Sequence, residues 1–533
     1  MAQTASTAFW EIPELIARTT TFFDYRSLVA LSQVSKSLSE HALDALFREC
    51  INIFKLFEIL CPLKINRKTQ ALEFDKSLTA KRWKRFEHYR RRTRIVKIDL
   101  NFGTIQTISP KVISQLRAQI PAGEPFLPSL NKMHWESDNP GSYQFVELFV
   151  HDRLRELFLS IAGSDVSTVL GKLVPMAPNL ESLKLIASGE IDDVPRAQTA
   201  AISAINLMTS LRSCALPSIL VTPDMIRILS YKKSVKQLWL APVALFVGRK
   251  ASTRDVIDNG IIPERFPSLT ELAINSARML DFLPYFSDGH QLRTLHIDIE
   301  DQTRLRQTLN LIASSCKALT NFSLRLSDSI PEDLITSPLT MEILQPLLSL
   351  HLIEILVIEH PLPPSLNDAD MEQFATSFPE LQYLELFVQS GCRNVFQTNL
   401  PTLGCLIPFA QHCRKLIALG IYMDARQIPP PPPVQAPLTQ FAPCFERLEV
   451  HCSPIDEPLQ VRDFLTTIFP PDAKVDFVRF SKWLSTIDGK MSRAMINSVM
   501  ALDHIPGKYR EEWIVLSCLF KKDSERLPRD IVR

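Results

Sequence analysis

The chain has 533 residues, with 59 basic and 58 acidic side chains. At 46% apolar and 22% charged residues it can bury a large core, which excludes global disorder. The near-neutral balance argues against a protein built chiefly to hold nucleic acid, and 38 prolines against 14 glycines argue against glycine-rich phosphate cradles.

Met1–Arg18 has neither a basic n-region nor an apolar h-region, so a secreted chain is not expected. No stretch approaches about 18 uncharged apolar residues, the length that spans a membrane. The ten cysteines are scattered without C-x-x-C spacing. They are expected to be free thiols packed as small apolar residues in a reducing compartment, cytoplasmic or nuclear.

Residues 9–48 form the first predicted element. Twenty of these forty residues are apolar, and Asp24-Tyr25-Arg26-Ser27 supplies a turn signal. Before the turn, Ile12-Pro13-Glu14-Leu15-Ile16 starts a helix, with Pro13 and Glu14 suited to a first turn. After it, Leu28, Leu31, Ser35, Leu38, Ala42 and Leu46 keep helical spacing behind Asp24 as N-cap. A module this small seldom buries enough surface alone, so its apolar face must meet either the rest of the chain or a partner.

These residues carry a resemblance. Ile12-Pro13-Glu14-Leu15-Ile16, then Phe22-Phe23-Asp24, then Ser27 through Leu38 resemble an F-box. The continuation Ala42-Leu43-Asp44-Ala45-Leu46-Phe47-Arg48-Glu49 is similar to that of fungal, particularly basidiomycete, F-box proteins. The family has Trp where this chain has Leu38 and Phe47. The resemblance implies that residues 9–48 pack on a Skp-type adaptor, which joins them to a cullin and a RING ubiquitin ligase. By position, the adaptor-binding residues would be Ile12, Pro13, Leu15, Ile16, Leu28, Leu31, Val34, Ser35 and Leu38.

Residues 49–94 are expected to be linking helices. Within them and just beyond, Lys81–Lys97 holds nine basic residues and one acid, Glu87. Trp83, Phe86 and Arg90 share one helical face there, so the aromatics are expected to pack inward and the charges to meet solvent. A nuclear-import signal is the functional alternative.

From 95 to 480 an L-x-x-L-x-L signature recurs. Clear copies are Leu154/Leu157/Leu159, Leu180/Leu183/Leu185, Leu292/Leu295/Ile297 and Leu381/Leu384/Leu386. Fourteen candidates start between Ile95 and Val475, about 29 residues apart. Apolar residues two apart point to one side of a strand, and intervening segments such as Leu305/Leu309/Ile312 keep helical spacing. The expected fold is α/β: an irregular leucine-rich-repeat array of parallel strands with helices outside. The sequence continues with five prolines, Pro429–Pro433, expected as a stiff polyproline II loop. Residues 481–533 are expected to form a helical cap, Met491–Asp503 and Tyr509–Lys521, with a charged tail.

Residues between the strand leucines face the open side of the sheet. Phe158, Lys184, Trp239, His296, Tyr383, Glu385, Phe387 and Tyr422 are the candidate target-binding residues, because aromatic and charged side chains on an open surface suit hot spots. No H-E-x-x-H, G-x-S-x-G, Walker or G-x-G-x-x-G pattern occurs. No catalytic residue, cofactor or metal is therefore expected, and neither membrane nor nucleic acid is an expected partner. The expected function is a non-catalytic target receptor of an SCF-type ubiquitin ligase. The alternative is a leucine-rich-repeat interaction scaffold without a ligase role.

Overall fold

Two leucines spaced two apart can both enter a core only from an extended chain, and a strand with one apolar side needs a neighbour to cover it. In a computed structural model of the chain, the twelve L-x-x-L-x-L candidates from Leu130 to Phe445 carry a strand in the predicted register, while at Ile95 and Val475 a strand forms in a shifted register, with Val96 opposite Met133 and Val475 opposite Leu448. The residues described are 12–68, 71–99, 108–121, 123–240, 266–275, 291–299, 302–326, 338–360, 362, 364–388, 400–429, 440–450 and 453–476. They fall in two compact units, the described residues up to 239 and those from 240 to 476. Each unit is a parallel sheet with helical connections, a leucine-rich-repeat type of α/β architecture. Among the described residues no helix is long and apolar enough to cross a membrane.

The first unit begins with three helices, α1 (Pro13–Thr20), α2 (Tyr25–Leu31) and α3 (Lys36–Arg48). Pro13 and Glu14 occupy the first turn of α1. Asp24 caps α2 by accepting the Ser27 amide at 2.7 Å. The sequence spacing predicts one helix from Leu28 to Leu46, but the chain breaks it between Leu31 and Lys36. Two serines supply the reason. The Ser32 hydroxyl donates back to the Val29 carbonyl at 2.7 Å, and Ser35 caps α3 by accepting the Leu38 amide.

Residues 49–94 hold more than linking helices. β1 (Glu49–Cys50) precedes α4 (Ile53–Glu58), then β2 (Leu63–Ile65) and β3 (Leu72–Phe74) pair as an antiparallel hairpin before α5 (Ala80–Arg90). β1 pairs in parallel with β4 (Ile95–Asp99), Glu49 opposite Ile95, so the sheet starts at residue 49 rather than 95. Next come β5 (Lys132–Ser137), β6 (Glu156–Ala162), β7 (Ser182–Ser188), β8 (Ser213–Ala215) and β9 (Gln237–Trp239). The spatial order is β1-β4-β5-β6-β7-β8-β9, all parallel. Register stacks Val96, Met133, Leu157, Leu183, Cys214 and Leu238 into one apolar layer, each essentially inaccessible. Burial pushes the Cys214 thiol up to about 12, as befits a cysteine used for packing.

The start of this array is closed by aromatic rings from α4 and α5. Phe57 lies 5.9 Å from Phe126 and 5.7 Å from Phe145, and Phe86 stacks on Phe126 at 5.4 Å. As the sequence predicts, Trp83, Phe86 and Arg90 share one side of α5 and the aromatics turn inward, but Arg90, expected to meet solvent with the other charges, turns inward with them. Arg90 is wholly buried. It donates to Glu87, to Glu124 at 2.6 Å and to the carbonyls of Pro125 and Phe126, with Trp83 5.7 Å away. Burial alone would depress its ionisation, but the two carboxylates hold the guanidinium charged.

The second unit repeats the plan. Its described strands are β10 (Glu271–Asn275), β11 (Thr294–Ile299), β12 (Asn321–Leu326), β13 (Ile355–His360), β14 (Tyr383–Val388), β15 (Ala418–Ile421), β16 (Arg447–Glu449) and β17 (Lys474–Asp476), parallel and in chain order. Leu272, Leu295, Phe322, Leu356, Leu384, Leu419, Leu448 and Val475 form its apolar layer. Leu305/Leu309/Ile312 lie buried on the helix Leu305–Ser315, as their spacing predicts. The expected proline loop from 430 onward and the helical cap at 481–533 lie outside the described residues.

Candidate interaction surfaces

Large apolar side chains rarely stay in water without a reason when they cluster. Twelve large hydrophobic side chains are exposed among the described residues, and five of them lie between 12 and 34: Ile12, Leu15, Phe22, Tyr25 and Val34. The three-helix segment has its own core, Ile16, Leu28 and Ala42. It is fastened to the rest of the first unit through α3. Phe47 packs on Tyr89 of α5 with ring centroids 4.6 Å apart, and Arg92 pairs with Glu40 and Asp44 while donating to the Glu40 carbonyl at 3.1 Å. Arg92 holds the Glu40 carboxyl below its ordinary range.

The predicted adaptor-binding residues therefore separate. Ile12, Pro13, Leu15, Val34 and Ser35 are exposed; Leu31 and Leu38 are half-buried; Ile16 and Leu28 are buried. Ser35 spends its hydroxyl on the α3 cap. Ile16 and Leu28 serve the segment's own core instead of presenting to solvent, because two helices this short have few other residues to pack on. Phe22, 80% exposed, and Tyr25, 74% exposed, are further apolar side chains in solvent and were not in the predicted set. Their signal is weak in sequence, since one lies beyond the end of α1 and the other on the first turn of α2.

The open face of the first sheet is a second candidate. Register aligns Lys97, His134, Phe158, Lys184, Ala215 and Trp239 across β4–β9, so predicted residues Phe158, Lys184 and Trp239 share one row. All six are half-buried. His134 stacks on Phe158 at 4.0 Å with ring planes 8° apart and pairs with Glu136. Lys97 pairs with Glu49, and Lys132 with Glu156 at 2.6 Å, so much of the charge is internally balanced.

The corresponding row of the second unit is Ala273, His296, Ser323, Val357, Glu385, Gly420 and Glu449. Here Ala273, Val357, Glu385, Gly420 and Glu449 are buried. Glu385, expected on an open surface, is only 9% exposed, and His296 is half-buried. Burial pushes the His296 imidazole down to about 4, so it is neutral at physiological pH. Tyr383 lies on the same side of β14 two residues before Glu385, and burial followed by Glu446 raises its phenol. The small residues Ala418 and Gly420 leave a shallow open depression lined also by Val357, Tyr383, Glu385 and Glu449. Tyr422 is half-buried just past β15, and the Phe387 backbone pairs with Glu359.

The basic run is largely absorbed by structure at its C-terminal end and open at its N-terminal end. Arg90 and Arg92 are committed as described, and Arg91 pairs with Glu87 at 2.8 Å. Lys81, Lys84 and Arg85 are exposed on α5.

No protein-family model and no curated protein matches the chain. Among solved structures it is similar to a chain of the crystal structure of a TLR13–ssRNA13 complex, at 13% identity and a TM-score of 0.32, over 73% of this chain and 53% of that one. It is also similar to a chain of the crystal structure of the Rad7 and Elc1 complex in yeast, at 12% identity and a TM-score of 0.33, over 62% of this chain and 77% of that one. The chain thus spans about half the length of the first. Neither likeness bears on what this chain binds.

Proposed function

We propose that the chain is a non-catalytic target-recognition subunit of an SCF-type ubiquitin ligase. Residues 9–48 act as an F-box that docks on a Skp-type adaptor, and the repeats hold a target protein. One observation carries this reading. The aromatic residues of α4 and α5 close the start of the repeat array, while Ile12, Leu15, Phe22, Tyr25 and Val34 remain exposed beside it. A segment that served only as a cap would turn those side chains inward. An adaptor that covers them removes apolar area from water, at roughly 25 cal/mol per Å2.

The mechanism needs no covalent chemistry from this chain. The adaptor joins it to the cullin and RING subunits, and the repeats hold the target within reach of the transferred ubiquitin. Ubiquitin transfer is then accelerated by a high effective concentration of target lysines. The reading is tested by titrating full-length protein with a purified Skp-type adaptor, beside a Leu15→Asp, Val34→Asp variant. Both positions are exposed, so the variant keeps its fold and its adaptor binding is expected to disappear.

A second reading is favoured by the attachment of α3 through Phe47 and Arg92. Those contacts suit an N-terminal segment that is simply part of a repeat scaffold without a ligase role. An adaptor titration with no binding by folded wild-type protein selects this second reading.

A further inference from the structure

In the first unit, the residue just ahead of each strand donates its amide to the carbonyl of the residue just ahead of the previous strand. The series runs Arg94 to Arg48 at 2.9 Å, Asn131 to Arg94 at 2.9 Å, Arg155 to Asn131 at 2.8 Å, Glu181 to Arg155 at 2.8 Å, Arg212 to Glu181 at 2.7 Å and Lys236 to Arg212 at 2.8 Å. These seven residues therefore stand side by side along the leading edge of one sheet. Five are cations and one is a carboxylate, and all five cations are exposed. The same positions in the second unit include Arg293, Thr320, Glu354, Gln382, Ile417 and Glu446, two carboxylates against one cation. The positive edge is thus a property of the first unit and not of the repeat register.

The four arginines keep donors to give. Arg48 and Arg94 make no ion pair among the described residues. Arg155 gives Nη1 to the Asn179 carbonyl at 3.1 Å, and Arg212 meets Glu181 through Nε at 3.6 Å. A guanidinium has five N–H donors, so a fork remains on each. Glu49, next to Arg48 in the chain, is held by Lys97, and Glu156, next to Arg155, is held by Lys132.

Spacing indicates the kind of partner. Neighbouring strands lie about 4.8 Å apart, so Arg94, Arg155 and Arg212, on alternate strands, recur about every 9.6 Å. A polyproline II chain rises about 3.1 Å per residue with three residues per turn, which returns every third side chain to one side after about 9.3 Å. A carboxylate at every third position would meet each guanidinium in turn, with the two-pronged geometry that arginine favours. A single-stranded nucleic acid would want aromatic faces for its bases, and none of the seven edge residues is aromatic.

We infer that the leading edge of the first sheet, from Arg48 to Lys236, is a docking edge for an extended acidic polypeptide bearing a carboxylate at every third residue. The inference deepens the proposed target-holding role of the repeats and rests on it.

The test uses full-length protein and a fluorescein-labelled peptide of repeated Glu-Pro-Ser triplets, followed by fluorescence anisotropy. Saturable binding is expected, tighter than to a peptide of equal composition with its glutamates contiguous. The Arg94→Gln, Arg155→Gln, Arg212→Gln variant should weaken it about tenfold or more. Removing equal charge from α5, by Lys81→Gln, Lys84→Gln, Arg85→Gln, should weaken it less than about twofold. The single Arg94→Gln variant, at a side chain without an ion pair, should weaken it about threefold. Equal losses from the two triple variants overturn the inference in favour of bulk charge, and so does no binding at all. Tighter binding of an oligothymidine with the same arginine dependence overturns it in favour of nucleic acid. Adaptor titration of the same proteins is independent. A chain that binds adaptor and ignores the peptide overturns this inference alone, and one that binds peptide and ignores adaptor overturns the ligase-receptor reading alone.

Discussion

Leu15 of α1 and Val34 of the turn between α2 and α3 are 39% and 67% exposed, whereas Leu157 and Leu183 of the repeats are 1% and 0% exposed. Both pairs belong to segments with ordinary apolar spacing. The difference lies in what comes next along the chain. Each repeat leucine is covered by the following repeat, so the array satisfies itself from within. The short helices α1 and α2 have no following copy, and their leftover face has only an outside partner to meet. What the fold leaves uncovered is therefore a better guide to function than what it buries.

That contrast sets a scale of expected effects. The largest should come from the repeats. Leu183→Ala removes a side chain stacked between Leu157 and Cys214, and should cost about 3–5 kcal/mol in denaturant unfolding followed by circular dichroism. A loss below about 1 kcal/mol would mean that the layer is looser than its register implies.

Acid should act next, and on the repeats. Burial lowers the ionisation of His151, His296 and His360, with His296 reaching about 4 against an ordinary 6.5. The unfolded chain takes up these protons first, so the contribution is fully present above pH 6.5 and lost as pH falls towards 4. For His296 the loss approaches about 3 kcal/mol, and melting curves across this window should flatten in His296→Gln.

Within the N-terminal helices the contrast can be made residue by residue. Leu28→Ala, in their core, should cost about 2 kcal/mol, whereas Leu15→Ala should stay within about 0.5 kcal/mol. Equal costs would abolish the distinction between inward and outward faces. The smallest effect should come from Arg92→Ala, which cuts α3 from α5 at exposed carboxylates and should cost about 1 kcal/mol, less at high salt.

The repeat array was legible in sequence because its signal is the core itself. Leucines at fixed offsets marked a strand in the right register at the twelve candidates from Leu130 to Phe445, and at the two ends the strand is present but the register slips, because Val96 rather than Ile98 aligns with Met133 and Val475 rather than Val478 aligns with Leu448. β1 escaped because Glu49–Cys50 carries no leucine and gains its place only by pairing with β4. The break between α2 and α3 was masked by continuous helical spacing, and was decided by the hydroxyls of Ser32 and Ser35. The candidate site was harder. Period alone placed Glu385 on the open side of the sheet, yet it is buried beside Gly420 and Glu449. Phe22 and Tyr25 lie where helices end or begin, outside any stripe. The positive edge was invisible because Arg94, Arg155 and Arg212 are far apart in the chain and meet only through register.

The most direct measurement is calorimetric titration of the full-length chain with a Skp-type adaptor, beside the Leu15→Asp, Val34→Asp variant at matched stability. The account predicts near one-to-one binding by the wild type and none by the folded variant. A folded wild-type chain that gives no binding, or a variant that binds equally well, would contradict it.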